Sequence, residues 1–235
     1  MSAFDKFLSD LSAGMAADLR SGVPYMDPAD WKVWYDPFVQ MPDVVTFWTN
    51  TNTNGTLGIG SSGITQTMGG ADNDLSQLYL KTATFALVSG KKALFEAKVQ
   101  VDKGAAGTIG QQEVFVGLAA VVTGNNFTAA DGLTMAVDDC VGFWSPDGST
   151  NLAAIARNTD VESIEAAAST YADATSYKLQ WLFDGTTVTF YKNGTSIGGL
   201  TGYPTAALAP TLFIKAGEAK PAVLTTAYIL VATER

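Results

Sequence analysis

The side chains that could do chemistry are thinly spread, and no histidine occurs among the 235 residues. Without an imidazole there is no Ser-His-Asp or Cys-His mechanism, no HExxH zinc site and no usual transition-metal shell. What remains is carboxylate chemistry. Glu162 and Glu165 in VESIEAA are three apart, so on a strand they point to opposite faces and do not converge on one bond. Glu96 and Asp102 flank one strand but lie too far apart along it for joint acid-base work. Asp72 and Asp74 in GGADND, and Asp138 with Asp139 before CVGFW, offer oxygens to a calcium ion. Neither group has the dense, regular ligand spacing of a dedicated loop, and turn chemistry accounts for such Asx clusters more economically. The one cysteine, Cys140, sits beside Val141, Gly142 and Phe143 and reads as a small buried residue that nothing nearby activates. The expected cofactor list is therefore empty. The best local binding set is Trp144 with Asp147 and Asn151 in FWSPDGSTN, an aromatic for the CH-rich face of a sugar and polar groups for its hydroxyls. The alternative is that Trp144 is a core residue of its strand.

The elements that would position these residues are strands. In SYKLQWLFDGTTVTFYKNGTSIGG, Leu179, Trp181 and Phe183 alternate with Lys178, Gln180 and Leu182. Asp184-Gly185 and Asn193-Gly194 then supply two-residue turns, so the stretch reads as a three-stranded antiparallel meander. Further strand signals recur at 44–48, 77–82, 93–101, 113–121, 140–145, 151–157, 161–167, 211–216 and 224–233, divided by Gly, Asn, Asp and Ser clusters. The pattern predicts an all-β protein, two antiparallel sheets packed as a sandwich, with alternating inward apolar and outward polar side chains.

The ends of the chain differ in character. Phe4, Leu8, Leu11, Met15 and Leu19 fall at helical spacing, Ser2 can cap the start, and Gly22 with Pro24 stops the run, which predicts one amphipathic helix. Its stripe packs either on the domain's own sandwich or on a neighbouring subunit. From 24 to 43 four prolines interrupt an aromatic group of Trp31, Trp34, Tyr35 and Phe38, a linker-like stretch expected to wrap across the sandwich. The organisation expected is an N-terminal helix and arm over 1–42 and a β-sandwich over 43–235. A formal charge of −9 without a basic cluster argues against a nucleic-acid partner. No apolar run is long enough to span a bilayer and the N-terminus lacks a secretion signal, so no membrane partner and cytoplasmic synthesis are expected.

The strands FEAKVQV, VFVGLAA and CVGFWS, followed by KLQWLFDGTTVTFYKNGTSIG, resemble in that order the concanavalin A-like (laminin-G-like, lectin/glucanase) jelly roll. The resemblance covers about residues 85 to 200. It implies a jelly-roll fold, and it leaves function open, because the superfold hosts sugar binding, glycan hydrolysis and structural roles alike. Glucanases of this kind carry an E-x-D-x-x-E strand; this chain does not, which leads us to expect no enzyme. Within the fold, the wording of FEAKVQVDKGAAGTIGQQEVFVGLAAV and DDCVGFWSPDGSTNLAAIARN resembles virion proteins of tailed bacteriophages, including capsid-decoration proteins. That resemblance implies a structural protein on the capsid surface, assembled in the host cytoplasm. Its partners would be the major capsid protein and further copies of itself, a trimer being preferred. Phe4, Leu8, Leu11, Met15, Leu19, Trp31, Trp34 and Tyr35 are the expected contacts. The alternative is a lectin-like module for surface glycans that uses Trp144, Asp147 and Asn151.

Overall fold

The computed structural model describes residues 30–38, 41–104, 107–121, 127, 128, 135–159 and 161–235. The expected helix bearing Phe4, Leu8, Leu11, Met15 and Leu19 lies outside the described residues. In chain order the elements are β1 (Trp31–Asp36), a short helix α1 (Met41–Phe47), β2 (Trp48–Thr53), β3 (Thr56–Gly60), β4 (Gly63–Thr67), β5 (Leu75–Leu80), β6 (Ala93–Asp102), β7 (Gln112–Ala119), β8 (Cys140–Ser145), β9 (Asn151–Asn158), β10 (Val161–Thr170), β11 (Thr175–Phe183), β12 (Val188–Lys192), β13 (Thr195–Leu200), β14 (Ala209–Ala216) and β15 (Val223–Glu234).

Two antiparallel sheets result. One has eight strands in the order β13-β12-β11-β6-β15-β4-β3, with β1 also paired to β15; the other has seven, in the order β10-β9-β8-β7-β14-β5-β2. Strand alternation sorts the side chains. Val114, Val116 and Leu118 of β7, Phe143 of β8 and Leu212 and Ile214 of β14 face Phe95, Ala97, Trp181, Phe183, Phe190 and Val231 of the opposite sheet in one buried core. Phe143 meets Phe190 edge-on at 5.4 Å across the sheets, and Phe95 stacks on Trp181 at 5.8 Å within one. Fully buried aromatics of this kind contribute about 3–5 kcal/mol each against truncation to alanine.

The meander forms as the sequence predicts, with one difference in its first turn. Lys192 pairs with Thr195 around Asn193-Gly194, both with positive φ, as a two-residue hairpin turn requires. At the other corner Phe183 pairs with Val188, so the loop is four residues long and not the expected two. Asp184 organises it, its Oδ1 accepting the N–H groups of Thr186 and Thr187 at 2.8 Å each.

The region before Leu75 departs further from expectation. Val44 to Trp48 is not a strand: α1 ends at Phe47 and β2 begins at Trp48. Pro42 and Asp43 suit a helix start, and the β-branched pair Val44-Val45 is split, Val44 buried and Val45 exposed. Trp31 to Asp36 is a regular strand within the expected arm. It falls in the window between the prolines and pairs along its whole length with Ile229 to Glu234. Accordingly Trp31 is buried, Trp34 packs on the core with its ring 5.4 Å from Phe47, and only Tyr35 of the three expected contacts stands out, at 53% exposure. The hairpin of β3 and β4 occupies a Gly- and Ser-rich stretch that carries no strong strand signal.

Candidate functional site

The outer face of the seven-stranded sheet carries a second buried cluster: Leu75, Phe115, Ala119, Cys140, Trp144, Ile155 and Phe213 from the strands, with Phe127, Met135 and Val137 from the connection between β7 and β8. Phe127 lies over the sheet, its ring centroid 4.9 Å from Phe115 and 5.0 Å from Phe213. The backbone of this connection is tied down at both ends, Ala120 N–H to the Asp139 carbonyl at 2.8 Å and Ala136 N–H to the Phe127 carbonyl at 3.0 Å.

Polar groups are sealed beneath that aromatic cover. Glu113, directly opposite Lys215 in the β7–β14 ladder, is 1% exposed. Its Oε2 accepts the Thr128 hydroxyl at 3.0 Å and lies 3.8 Å from Lys215 Nζ, while its Oε1 has no hydrogen-bond partner among the described residues. Burial pushes the Glu113 carboxyl up to about 8, against the pull of Thr128, Lys215 and the Trp144 indole, with the Asp147 charge adding to the rise. At neutral pH the acid is mostly protonated, and the Lys215 contact is weaker than a full ion pair. Nearby Trp144 Nε1 and Asp147 Oδ1, and both polar atoms of the Gln77 amide on β5, are buried without a hydrogen-bond partner among the described residues. Buried polar atoms are nearly always satisfied, so a titratable acid among such orphans makes this patch the candidate site.

At its edge the cluster reaches solvent. Asp147, in the turn after β8, is half-buried, and its carboxylate makes no hydrogen bond among the described residues. It fits because Gly217 offers no side chain: a β-carbon there would meet Asp147 Oδ1 at 2.0 Å. Four residues on, Asn151 opens β9 and is exposed.

The fold is found widely among solved structures. Similar to this chain are a peanut lectin solved with a nine-residue peptide (TM-score 0.60, 10% identity, 87% of this chain and 97% of the other), a protein of unknown function from Shewanella oneidensis MR-1 (0.58, 12%, 100% and 95%) and an endo-1,3-beta-glucanase from Streptomyces sioyaensis (0.56, 10%, 89% and 98%). The fold is the concanavalin A-like lectin/glucanase jelly roll. No protein-family model matches the chain, and no curated protein matches it by sequence. At these identities the likeness fixes the fold and carries no site residue across.

Of the residues that the sequence singled out, Trp144 and Asp147 both come to the Glu113 cluster and Asn151 lies at its rim. Trp144 is 4% exposed and offers no open face for stacking; it is a core residue of the outer cluster, the alternative reading of its strand. The calcium candidates do not assemble. Asp74 accepts the Ala71 N–H and the Asn54 amide, each at 3.0 Å, and Asp139 accepts the Thr159 N–H at 3.1 Å, while Asp72 and Asp138 are exposed. Among the described residues no three His, Cys, Asp or Glu side chains could hold a metal ion together. Glu113, Gln77 and Lys215 were not legible as a site: each is one polar residue on a strand's outward side, and only the sheet sets them together under Phe127. Glu96 is buried on the other sheet's outer face, bound to Gln180, Tyr228 and Lys178 and separate from Asp102.

Proposed function

We propose that this chain is a non-enzymatic, lectin-like carbohydrate-binding module, with its sugar contact at the rim formed by Asp147 and Asn151 over the buried Glu113–Trp144 cluster. The half-buried Asp147 carboxylate, which makes no hydrogen bond among the described residues, carries this reading: its Oδ1 is buried, and its other oxygen can accept one sugar hydroxyl at the rim while the exposed Asn151 amide donates and accepts. Trp144 and Glu113 support the turn from below. The lectins among the structural neighbours support the same reading at the level of fold. Against hydrolysis stands the sealing of Glu113, 1% exposed beneath Phe127 and Thr128, where no glycosidic oxygen reaches it. A glycan array followed by calorimetry tests the proposal. Asp147→Ala and Asn151→Ala should each weaken the best glycan about tenfold or more, or about 1.4 kcal/mol. A blank array, or binding indifferent to both changes, rejects it, and release of new reducing ends would reject the non-enzymatic part.

A second reading is a structural one: a capsid-surface decoration protein of a bacteriophage, bound to the major capsid protein and to copies of itself. The observation in its favour is local. Val33, Tyr35, Val45 and Phe47, all between β1 and the end of α1, are 43%, 53%, 62% and 45% exposed, more apolar surface than one short stretch normally leaves in water. Solution mass and co-sedimentation with empty capsids test it; a monomer that ignores capsids ends it. Any truncation for this purpose has to stop before Trp31, because a cut at 42 removes a paired strand.

A further inference from the structure

The eight-stranded sheet has a groove of its own, on the side of the molecule away from Glu113. It encloses about 440 Å³ between the tip of the β3–β4 hairpin at Gly60, Ser61, Ser62 and Gly63, the Pro37-Phe38 corner, and the outer surface of β6, β11 and β15 at Lys98, Gln100, Ser176, Thr225 and Ala227. The groove follows from a gap in the ladder. β15 pairs with β4 as far as Thr226 and with β1 from Ile229 onward, and a register shift leaves Ala227 without a partner on either side. Bulges of this sort re-aim strands next to binding sites.

Both walls are held at a cost in backbone freedom. Gly63, at φ +109, lets the hairpin tip close on the bulge; a β-carbon there would lie 2.1 Å from the Thr226 carbonyl oxygen. Phe38 adopts φ 49, and its N–H is fastened to Asp36 Oδ1 at 2.8 Å while Asp36 Oδ2 takes the Trp48 indole at 2.7 Å. Strain of this kind persists where surrounding structure over-determines it, and it concentrates at ligand sites.

The lining is chemically one-sided. It presents four hydroxyls (Ser61, Ser62, Ser176 and Thr225), the Gln100 amide and the Lys98 ammonium, and it contains no carboxylate. None of these six side chains is engaged in a hydrogen bond or ion pair among the described residues. In a chain of net charge −9, a concave surface with one cation, no anion and a ring of unused hydroxyls suits a solute that is both hydroxylated and negatively charged. We propose that this groove is a second ligand site, separate from the Asp147 rim, for a small hydroxylated anion of the uronic acid or sugar phosphate class. Lys98 pairs with the acid group, and Ser61, Ser62 and Gln100 bond the hydroxyls.

Titration calorimetry of the full chain at low ionic strength, with glucuronate, glucose 6-phosphate and glucose as separate probes, tests this. Saturable one-to-one binding of at least one anion is expected near the millimolar range, with glucose about tenfold weaker or worse; whichever anion binds tighter identifies the source. Lys98→Met keeps the aliphatic stem of an exposed residue and should erase the preference for the anion over glucose. A Ser61→Ala, Ser62→Ala double variant should weaken all probes, and the preference for the anion over glucose should persist in Asp147→Ala. The proposal fails if neither anion saturates, if the anion preference survives Lys98→Met, or if Asp147→Ala abolishes binding, which would assign the ligand to the other site.

Discussion

Two glutamates, each buried on the outer face of one sheet, have been given opposite surroundings. Glu96, 2% exposed, is fully served: Gln180 Nε2 donates to its Oε2 at 2.6 Å, the Tyr228 hydroxyl donates to its Oε1, and Lys178 Nζ lies 3.4 Å away. Glu113, 1% exposed, has one hydroxyl donor, a lysine at 3.8 Å and an orphaned oxygen amid other orphans. A carboxylate that costs several kcal/mol to desolvate has been compensated in the first place and left under-compensated in the second. The difference teaches that burial alone does not identify a functional acid; the supply of partners does.

The comparison can be broken first by mutation. Glu96→Ala leaves Lys178, Gln180 and Tyr228 facing an empty buried site and should lower stability in urea at pH 7 by about 3–5 kcal/mol. Glu113→Gln should cost no more than about 1 kcal/mol at the same pH, because the native side chain is already mostly neutral. Equal losses in the two variants would remove the contrast.

The pH dependence sharpens it. The Glu113 carboxyl rises in the folded protein from an ordinary 4.5 to about 8, so the fold holds its proton more tightly than the unfolded chain does. That contribution is complete below pH 4.5 and is lost as pH climbs toward 8. Wild type should therefore lose stability relative to Glu113→Gln across this window, by at most on the order of 5 kcal/mol in all and never more steeply than about 1.4 kcal/mol per pH unit. A flat difference between the two proteins, measured by denaturation at each pH, would contradict it. Thr128→Val should cost about 1 kcal/mol and move that transition to higher pH, since its hydroxyl favours the charged form of Glu113. Trp144→Phe should have the smallest effect, within about 1 kcal/mol, because it keeps an aromatic ring in the cluster and gives up only an indole N–H whose pull on Glu113 ranks below that of Thr128.

Legibility in the sequence followed the range of the interactions involved. Cys140 to Ser145, the Asn193-Gly194 turn and the long strands β6, β7, β11 and β15 are written in period-two patterns and short turn motifs, and they fold close to where those patterns place them. β1, α1 and the β3–β4 hairpin were misread or missed because proline, glycine and β-branched residues gave local signals that pairing with β15 and β5 overrides. The candidate site divides in the same way. Trp144, Asp147 and Asn151 were visible as one aromatic-polar stretch, whereas the exposure of each was not.

By itself the sequence determined an antiparallel all-β sandwich without histidine chemistry, because alternation, turn residues and composition act over a few neighbours, while the jelly-roll type came only from the resemblance of its strands to a known family. Tertiary structure alone decided that Glu113 lies beside Lys215, Gln77 and Asp147 beneath Phe127, that Trp144 is covered, and that a groove opens where β1 and β4 leave a gap along β15. The physical reason is that solvent access and hydrogen-bond supply at a strand's outward side depend on what a distant segment lays over it, and no local pattern records that.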